Sequence, residues 1–222
     1  MRSKLVTLGV IILSLVLTFG CKEKNELEFN AELAELLEKM TEIDQYYAGI
    51  PQGDYEGNWE AWYIARDSIN RLHKTVLDSI LKIYQYPGFD LIGEAGESNF
   101  WVMVQHCDFD PDFQEAVLAL LKQQVDIQNA NPSHYGLLTD RVRKNRGKPQ
   151  LYGTQVDYNE KGQAYIKSLE DRPKVNVRRS ALGMELLETY LNDMTRAHFE
   201  MNKEHLIKQG ITAPQLYQIP EK

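Results

Sequence analysis

Between residues 27 and 145 the apolar side chains recur three and four positions apart, in one segment after another, and each run is cut by proline or glycine. That spacing lines one face of an α-helix and does not fit the strict alternation of a half-buried strand. Leu33, Leu36, Leu37, Met40 and Ile43 mark the inner face of a first helix, from Leu27 to about Tyr46. Gly49, Pro51, Gly53 and Gly57 break it. Asn58 suits the cap of a long second helix with Trp62, Ala65, Ile69, Leu72, Val76, Ile80 and Ile83 inward, ended by Tyr86-Pro87-Gly88. A glycine-containing loop is expected as far as about Gly96. A third helix then starts at Glu97 or Ser98, and its Phe100–Val104 stretch has no polar face, which predicts burial all round. Pro111 opens a fourth helix at its favoured first-turn position, and Asn131-Pro132-Ser133 precedes a fifth with Tyr135, Leu138 and Val142 on one face.

The helical period disappears between Gly147 and Pro173. Two short strands, 151–156 and 163–166, flank Asn159-Glu160-Lys161-Gly162 and predict a hairpin. A last long helix is expected from about Val177 to His205, followed by a tail with Pro214 and Pro220. The expected fold class is mainly α, a single helical domain over 27–222 with a small β-hairpin insertion. At 222 residues, with 43% hydrophobic and 26% charged side chains, the chain can bury a core without disulfide staples. Its net charge of −7 argues against a nucleic-acid partner, which calls for a basic excess.

The amino terminus reads as an address. Arg2 and Lys4 precede an uncharged, mostly apolar run from Leu5 to Phe19, and Gly20-Cys21 closes it. That run is shorter than the ~20 residues needed to span a bilayer core, so residues 1–20 read as a secretory signal. Ending on cysteine, the segment resembles a bacterial lipoprotein signal of the loose Bacteroidetes type. The resemblance implies cleavage before Cys21, acylation of Cys21, a spacer over 21–26, and a lipid bilayer of the cell envelope, foremost the outer membrane, as partner. Two or three acyl chains would make release negligible, since each buried methylene contributes ~0.8 kcal/mol. Loss of residues 1–20 removes two cations and no acid, moving the net charge from −7 to −9, so the lipid would have to do the anchoring. Cys107 is then left alone and reads as a small core residue.

Several polar residues stand out against this helical background. Gln105 and His106 follow the apolar stretch Trp101–Val104, and Gln114 shares a face with Leu118 and Leu121. Either they are satisfied core groups, or His106 is a general acid/base oriented by Asp108 or by a carbonyl. The stretch Asp140–Lys148 carries five cations in its last eight residues. It reads either as a solvated helix end with an outward Asp140–Lys144 pair or as an anion clamp, with Arg141 nearest the core side. Gln150, Tyr152, Thr154 and Gln155 sit among Gly147, Pro149 and Gly153, as in loops that present ligand contacts from a rigid base. Arg179 projects toward the apolar side of the last helix and needs a partner, with Asp108 and Asp140 the candidates. No metal-ligand spacing and no nucleotide or esterase fingerprint occurs, so neither metal nor cofactor is expected. Trp59, Trp62, Tyr46 and Tyr47 read either as a sugar-stacking platform or as an aromatic helix–helix core.

The series Gln105-His106-Cys107-Asp108, Gln114, Leu138-Thr139-Asp140-Arg141-Val142, Gly147-Lys148-Pro149-Gln150-Leu151-Tyr152-Gly153-Thr154-Gln155 and Arg178-Arg179 resembles an uncharacterised bacterial family. The likeness covers roughly residues 60–195 and, the family being a domain of unknown function, implies no mechanism. Two classes of function follow from the residues themselves. One is an envelope-anchored binding or interaction module for a small molecule or envelope partner. Its groove would be lined by Gln105, Gln150, Tyr152, Thr154, Gln155 and an arginine. The other is a hydrolase or transferase with His106 as acid/base, Asp108 as its orienter, and Arg141 or Arg179 stabilising an anionic or amide-bearing substrate.

Overall fold

The computed structural model describes residues 28–220; the signal-like segment, Cys21 and the spacer to residue 26 lie outside the described residues. Among those described, eight α-helices and one two-stranded antiparallel sheet form, so the chain is mainly α with a small hairpin. Helix α1 spans Ala31–Ala48, α2 Trp59–Tyr84, α3 Phe89–Gln105, α4 Pro111–Asp126 and α5 Pro132–Asn145. The four asparagine and aspartate caps that open α1, α2, α4 and α5 each satisfy an orphan backbone N–H: Asn30 accepts from Leu33, Asn58 from Ala61, Asp110 from Phe113 and Asn131 from Ser133.

Helix α1 lies against α2 and α3, and α4 against α5. The main core between them includes Leu37, Leu77, Phe100, Met103, Val117, Leu121 and Leu138, all essentially sealed from water. Cys107 is buried here with a free thiol, which burial pushes up to about 12. A second cluster joins Ala164, Val175, Leu187 and Leu191. It binds the hairpin, β1 (Asp157–Tyr158) with β2 (Ala164–Tyr165), to α6 (Val175–Ala181) and α7 (Leu187–Met201); α8 (Lys203–Lys208) follows.

Four local expectations are corrected. The stretch 89–96 is helical, because α3 begins at Phe89 and passes through a single break at Gly93, whose φ of 71° lies in the left-handed region. The long carboxyl-terminal helix is in fact two helices and a short third. The C-terminus of α6 closes at Gly183 (φ 67°), where Met184 N–H donates to the Arg179 carbonyl and Gly183 N–H to that of Ser180. That pair of bonds is a Schellman ending, which a left-handed glycine permits at little cost. Residues 151–155 are not a strand but a loop wrapped on Asp140; the first strand holds only Asp157 and Tyr158. Finally, the inner faces of α1 and α2 follow the expected rows through Leu33, Leu37, Met40, Trp62 and Ile80 but differ at four positions. Leu36, Ile43, Leu72 and Ile83 are exposed, while Asp44 and His73 lie inside, on the rows Leu33-Leu37-Met40-Asp44 and Ile69-His73-Leu77-Ile80.

A buried polar bridge ties the turn after α2 to α3 and α5. Glu97 is wholly buried and accepts from the Tyr86 hydroxyl at 2.6 Å while lying 2.8 Å from His134 Nδ1. Trp101 stacks on the His134 ring at 3.9 Å and donates its indole N–H to the His134 carbonyl.

Candidate functional site

His106 caps the carboxyl end of α3, and its ring sits 2.8 Å through Nδ1 from Oδ1 of Asp44 on α1. Asp44 is only 2% exposed, and its other oxygen accepts from the Gln45 side chain at 3.0 Å. A buried carboxylate accepting from Nδ1–H holds the neutral imidazole as the tautomer whose Nε2 carries the lone pair. Among the described residues that nitrogen has no hydrogen-bond partner, and 26% of the His106 side chain is open to solvent.

His106 opens onto a cavity of about 350 Å³ lined by Asp44, Tyr63, Arg66, Asn70, Asp108 and Arg141 among others. This is within the range of small-molecule sites. Asn70 donates weakly to the His106 carbonyl at 3.4 Å. Behind the dyad, His73 is buried with Nδ1 unpartnered. Burial holds its imidazole below the ordinary value; the Asp44 carboxylate pulls the other way, and His106 adds to the depression. Among the described residues no three histidine, cysteine or acidic groups are placed to share a metal ion.

Asp108 is in the cleft but does not orient His106. It faces Arg141, which donates from Nε at 2.8 Å and Nη2 at 2.6 Å, and it also accepts from Asn145 and Gln114. Burial pushes the Asp108 carboxyl up, but the bonds from Arg141 and Asn145, with the Arg141 charge and Gln114, outweigh it and hold the group below the usual carboxylate value. The orienting acid is Asp44 because α1 delivers it from the far side of the ring, whereas the turn after α3 carries Asp108 toward α5.

The remaining sequence-derived residues lie elsewhere and are occupied with one another. Asp140 is fully buried and faces inward, not toward Lys144. It accepts from the backbone N–H groups of Leu151, Tyr152 and Thr154 and from the Thr154 hydroxyl. Burial raises its pKa while those four donors oppose the rise. Gln150 donates to the Gln155 carbonyl and accepts from its N–H, both at 2.8 Å; Gln155 in turn donates to the Thr154 hydroxyl. Among the described residues Arg179 finds no carboxylate: it donates to the carbonyls of Glu185 at 2.6 Å and Tyr152 at 2.9 Å, and its guanidinium lies over the Tyr190 ring. Gln114 reaches the carbonyls of Val104 and Gln105, so Gln105 takes part through its backbone. The other arginines of the basic stretch are also matched, Arg143 by Glu170 and Arg146 by Asp112 and Glu115. Thus His106, Asp108 and Arg141 share the cleft, while Asp140, Gln150, Tyr152, Thr154, Gln155 and Arg179 brace a loop.

Asp44, His73 and Arg66 were not singled out by the sequence. The signal for the first two was a charged or polar residue standing at the next position of an apolar row, where a solvated side chain has no place. Arg66 leaves no such mark.

No curated protein and no solved structure matches the chain. A family of unknown function, DUF6624, matches residues 30–201, a span that reaches back beyond the motifs to include α1 and its Asp44. With well over half of its length covered by that match, the chain belongs to the DUF6624 family.

Proposed function

We propose that the protein is an enzyme of the cell envelope, a hydrolase or transferase in which His106 is the general acid/base. The observation that carries this reading is the His106–Asp44 pair at the wall of the cleft. Nε2 takes a proton from water or an acceptor hydroxyl as that oxygen bonds to a carbonyl or phosphoryl centre. The imidazolium so formed returns the proton to the departing oxygen or nitrogen, which leaves as an alcohol or amine. Asp44 is a positioning residue: it fixes the tautomer and stabilises the imidazolium. Arginine at the cleft favours an anionic substrate. A groove lined by Gln150, Tyr152, Thr154 and Gln155 draws less support, since the side chains of Gln150 and Thr154 and the amide nitrogen of Gln155 are committed to internal bonds.

Anchoring rests on residues 1–26, through acylated Cys21, with the outer membrane as the expected site. Detergent-phase partitioning that Cys21→Ser abolishes would support it.

The catalytic reading is tested with p-nitrophenyl acetate and p-nitrophenyl phosphate. Turnover is expected to fall ~10²–10⁴-fold in His106→Gln and to fall as well in Asp44→Asn, with both variants folded by circular dichroism. Undiminished turnover in folded His106→Gln would overturn the proposal.

A further inference from the structure

Helix α2 runs a row of side chains into the cleft. Trp59, Tyr63, Arg66 and Asn70 follow one another at spacings of four, three and four, which stacks them along one face. The row is about 16 Å long at 1.5 Å per residue. Its last three members line the cavity, and Asn70 meets His106. At its head Trp59 and Tyr63 are 49% and 47% exposed, their ring centroids 5.7 Å apart and their planes tilted by 37°.

The neighbouring Trp62 shows what a structural aromatic looks like in this helix. It is fully buried against Tyr46, Tyr47 and Tyr55, and its indole N–H donates to the Gly49 carbonyl. Tyr63, which lines the cavity, and Trp59, packed against it, instead leave about half of their surface in water. Apolar surface left open beside a polar cleft marks a binding face more often than a scaffold.

Charge narrows the occupant. Within the cleft, Asp108 is matched by Arg141, Asp44 by His106, and Asp67 by Arg71 at 2.8 Å. Arg66 has no carboxylate partner among the described residues, and its guanidinium rests 4.8 Å above the Tyr63 ring. One cation is therefore left for an incoming anion. Three carboxylates along the same wall would repel a second or third negative group.

We infer that the cleft takes a small molecule in which a single anionic group, a carboxylate or phosphate monoester, is joined to a ring. The anion is held by Arg66, the ring lies on Tyr63 and Trp59, and the bond to be cut or formed points toward His106. Every π-face or apolar sugar face can use such a ledge, so the ring is an aryl group or base, or a pyranose. This inference rests on the acid/base reading for its chemistry, but its recognition elements are distinct residues.

Binding of phenyl phosphate, glucose 1-phosphate, inorganic phosphate and benzyl alcohol to the full chain, followed by calorimetry, tests it. Phenyl phosphate is expected to bind about tenfold more tightly than inorganic phosphate. Trp59→Ala with Tyr63→Ala should reduce it to the inorganic phosphate level, and Arg66→Gln should leave it no better than benzyl alcohol. Glucose 1-phosphate matching phenyl phosphate makes the ring a sugar; glucose 1-phosphate matching inorganic phosphate makes it aromatic, and either result supports the ledge. Equal binding of all three phosphates, or no effect of the double aromatic variant, overturns the inference. The same titrations in His106→Gln separate the two proposals. Ring-dependent binding without any His106-dependent turnover sinks the catalytic reading alone. His106-dependent turnover whose KM ignores Arg66→Gln and the double variant sinks this one alone.

Discussion

A single carboxylate decides the shape of the loop that follows α5. Leu151, Tyr152 and Thr154 present backbone N–H groups with no strand or helix to take them, and Asp140 accepts all three together with the Thr154 hydroxyl. Its burial is costly by itself, as the raised pKa records, and only the converging donors make a charged group tolerable there. Asp140→Ala therefore strands several buried donors at once. We expect a loss of about 3–5 kcal/mol in urea unfolding, with a smaller loss in Asp140→Asn, whose oxygen still accepts. A variant within experimental error of the wild type would show that the loop holds without this residue. The same logic separates Asp140 from Asp108. Both were candidates for an arginine partner, yet one is spent on the backbone and the other on a guanidinium at a cavity wall.

At the scale of the element, helix existence was legible and helix phase only in part. Caps and prolines marked where α1, α2, α4 and α5 begin, because a side-chain oxygen beside the first turn or a ring without an N–H leaves its trace in the letters. The rows facing the core were harder to read, since exposed leucine and isoleucine compete with the true row when counted as apolar. Thus Leu72 stood in for His73 and Ile43 for Asp44, and two of the three side chains closest to the chemistry were hidden by that substitution. His106 was visible because it ends an uninterrupted apolar stretch. Its partner was not, because pairing across 62 positions depends on how α1 lies against α3. Gly183 shows a different loss: the amphipathic pattern runs one helix through it from Val177 to His205, whereas it is the stop. A Cβ added at Gly183 would meet nothing within 4 Å, so the penalty of Gly183→Ala is that of the left-handed backbone alone. We expect it to cost about 1 kcal/mol in thermal or urea unfolding without altering the cleft. A loss several times larger would mean that the chain reversal between α6 and α7 tolerates no relaxation.

For the molecule as a whole, the buried histidine behind the cleft couples stability to acidity. His73 holds its proton less well when folded than when unfolded, because burial disfavours the cation. Below the ordinary imidazole value of 6.5, the unfolded chain takes up a proton that the folded one resists. The stability due to this group is complete above that value and declines as the pH falls, by at most about 1.4 kcal/mol per pH unit. His73→Leu should flatten the decline of the urea midpoint between neutral and mildly acidic conditions. Parallel curves for the two proteins would assign that decline to other groups.

The placement of Asp44 has a practical reach beyond the dyad. Helix α1 begins at Ala31, and from there to Asp44 it spans about 20 Å. The point at which the amino-terminal chain joins α1 thus lies about that far along a stiff rod from the mouth.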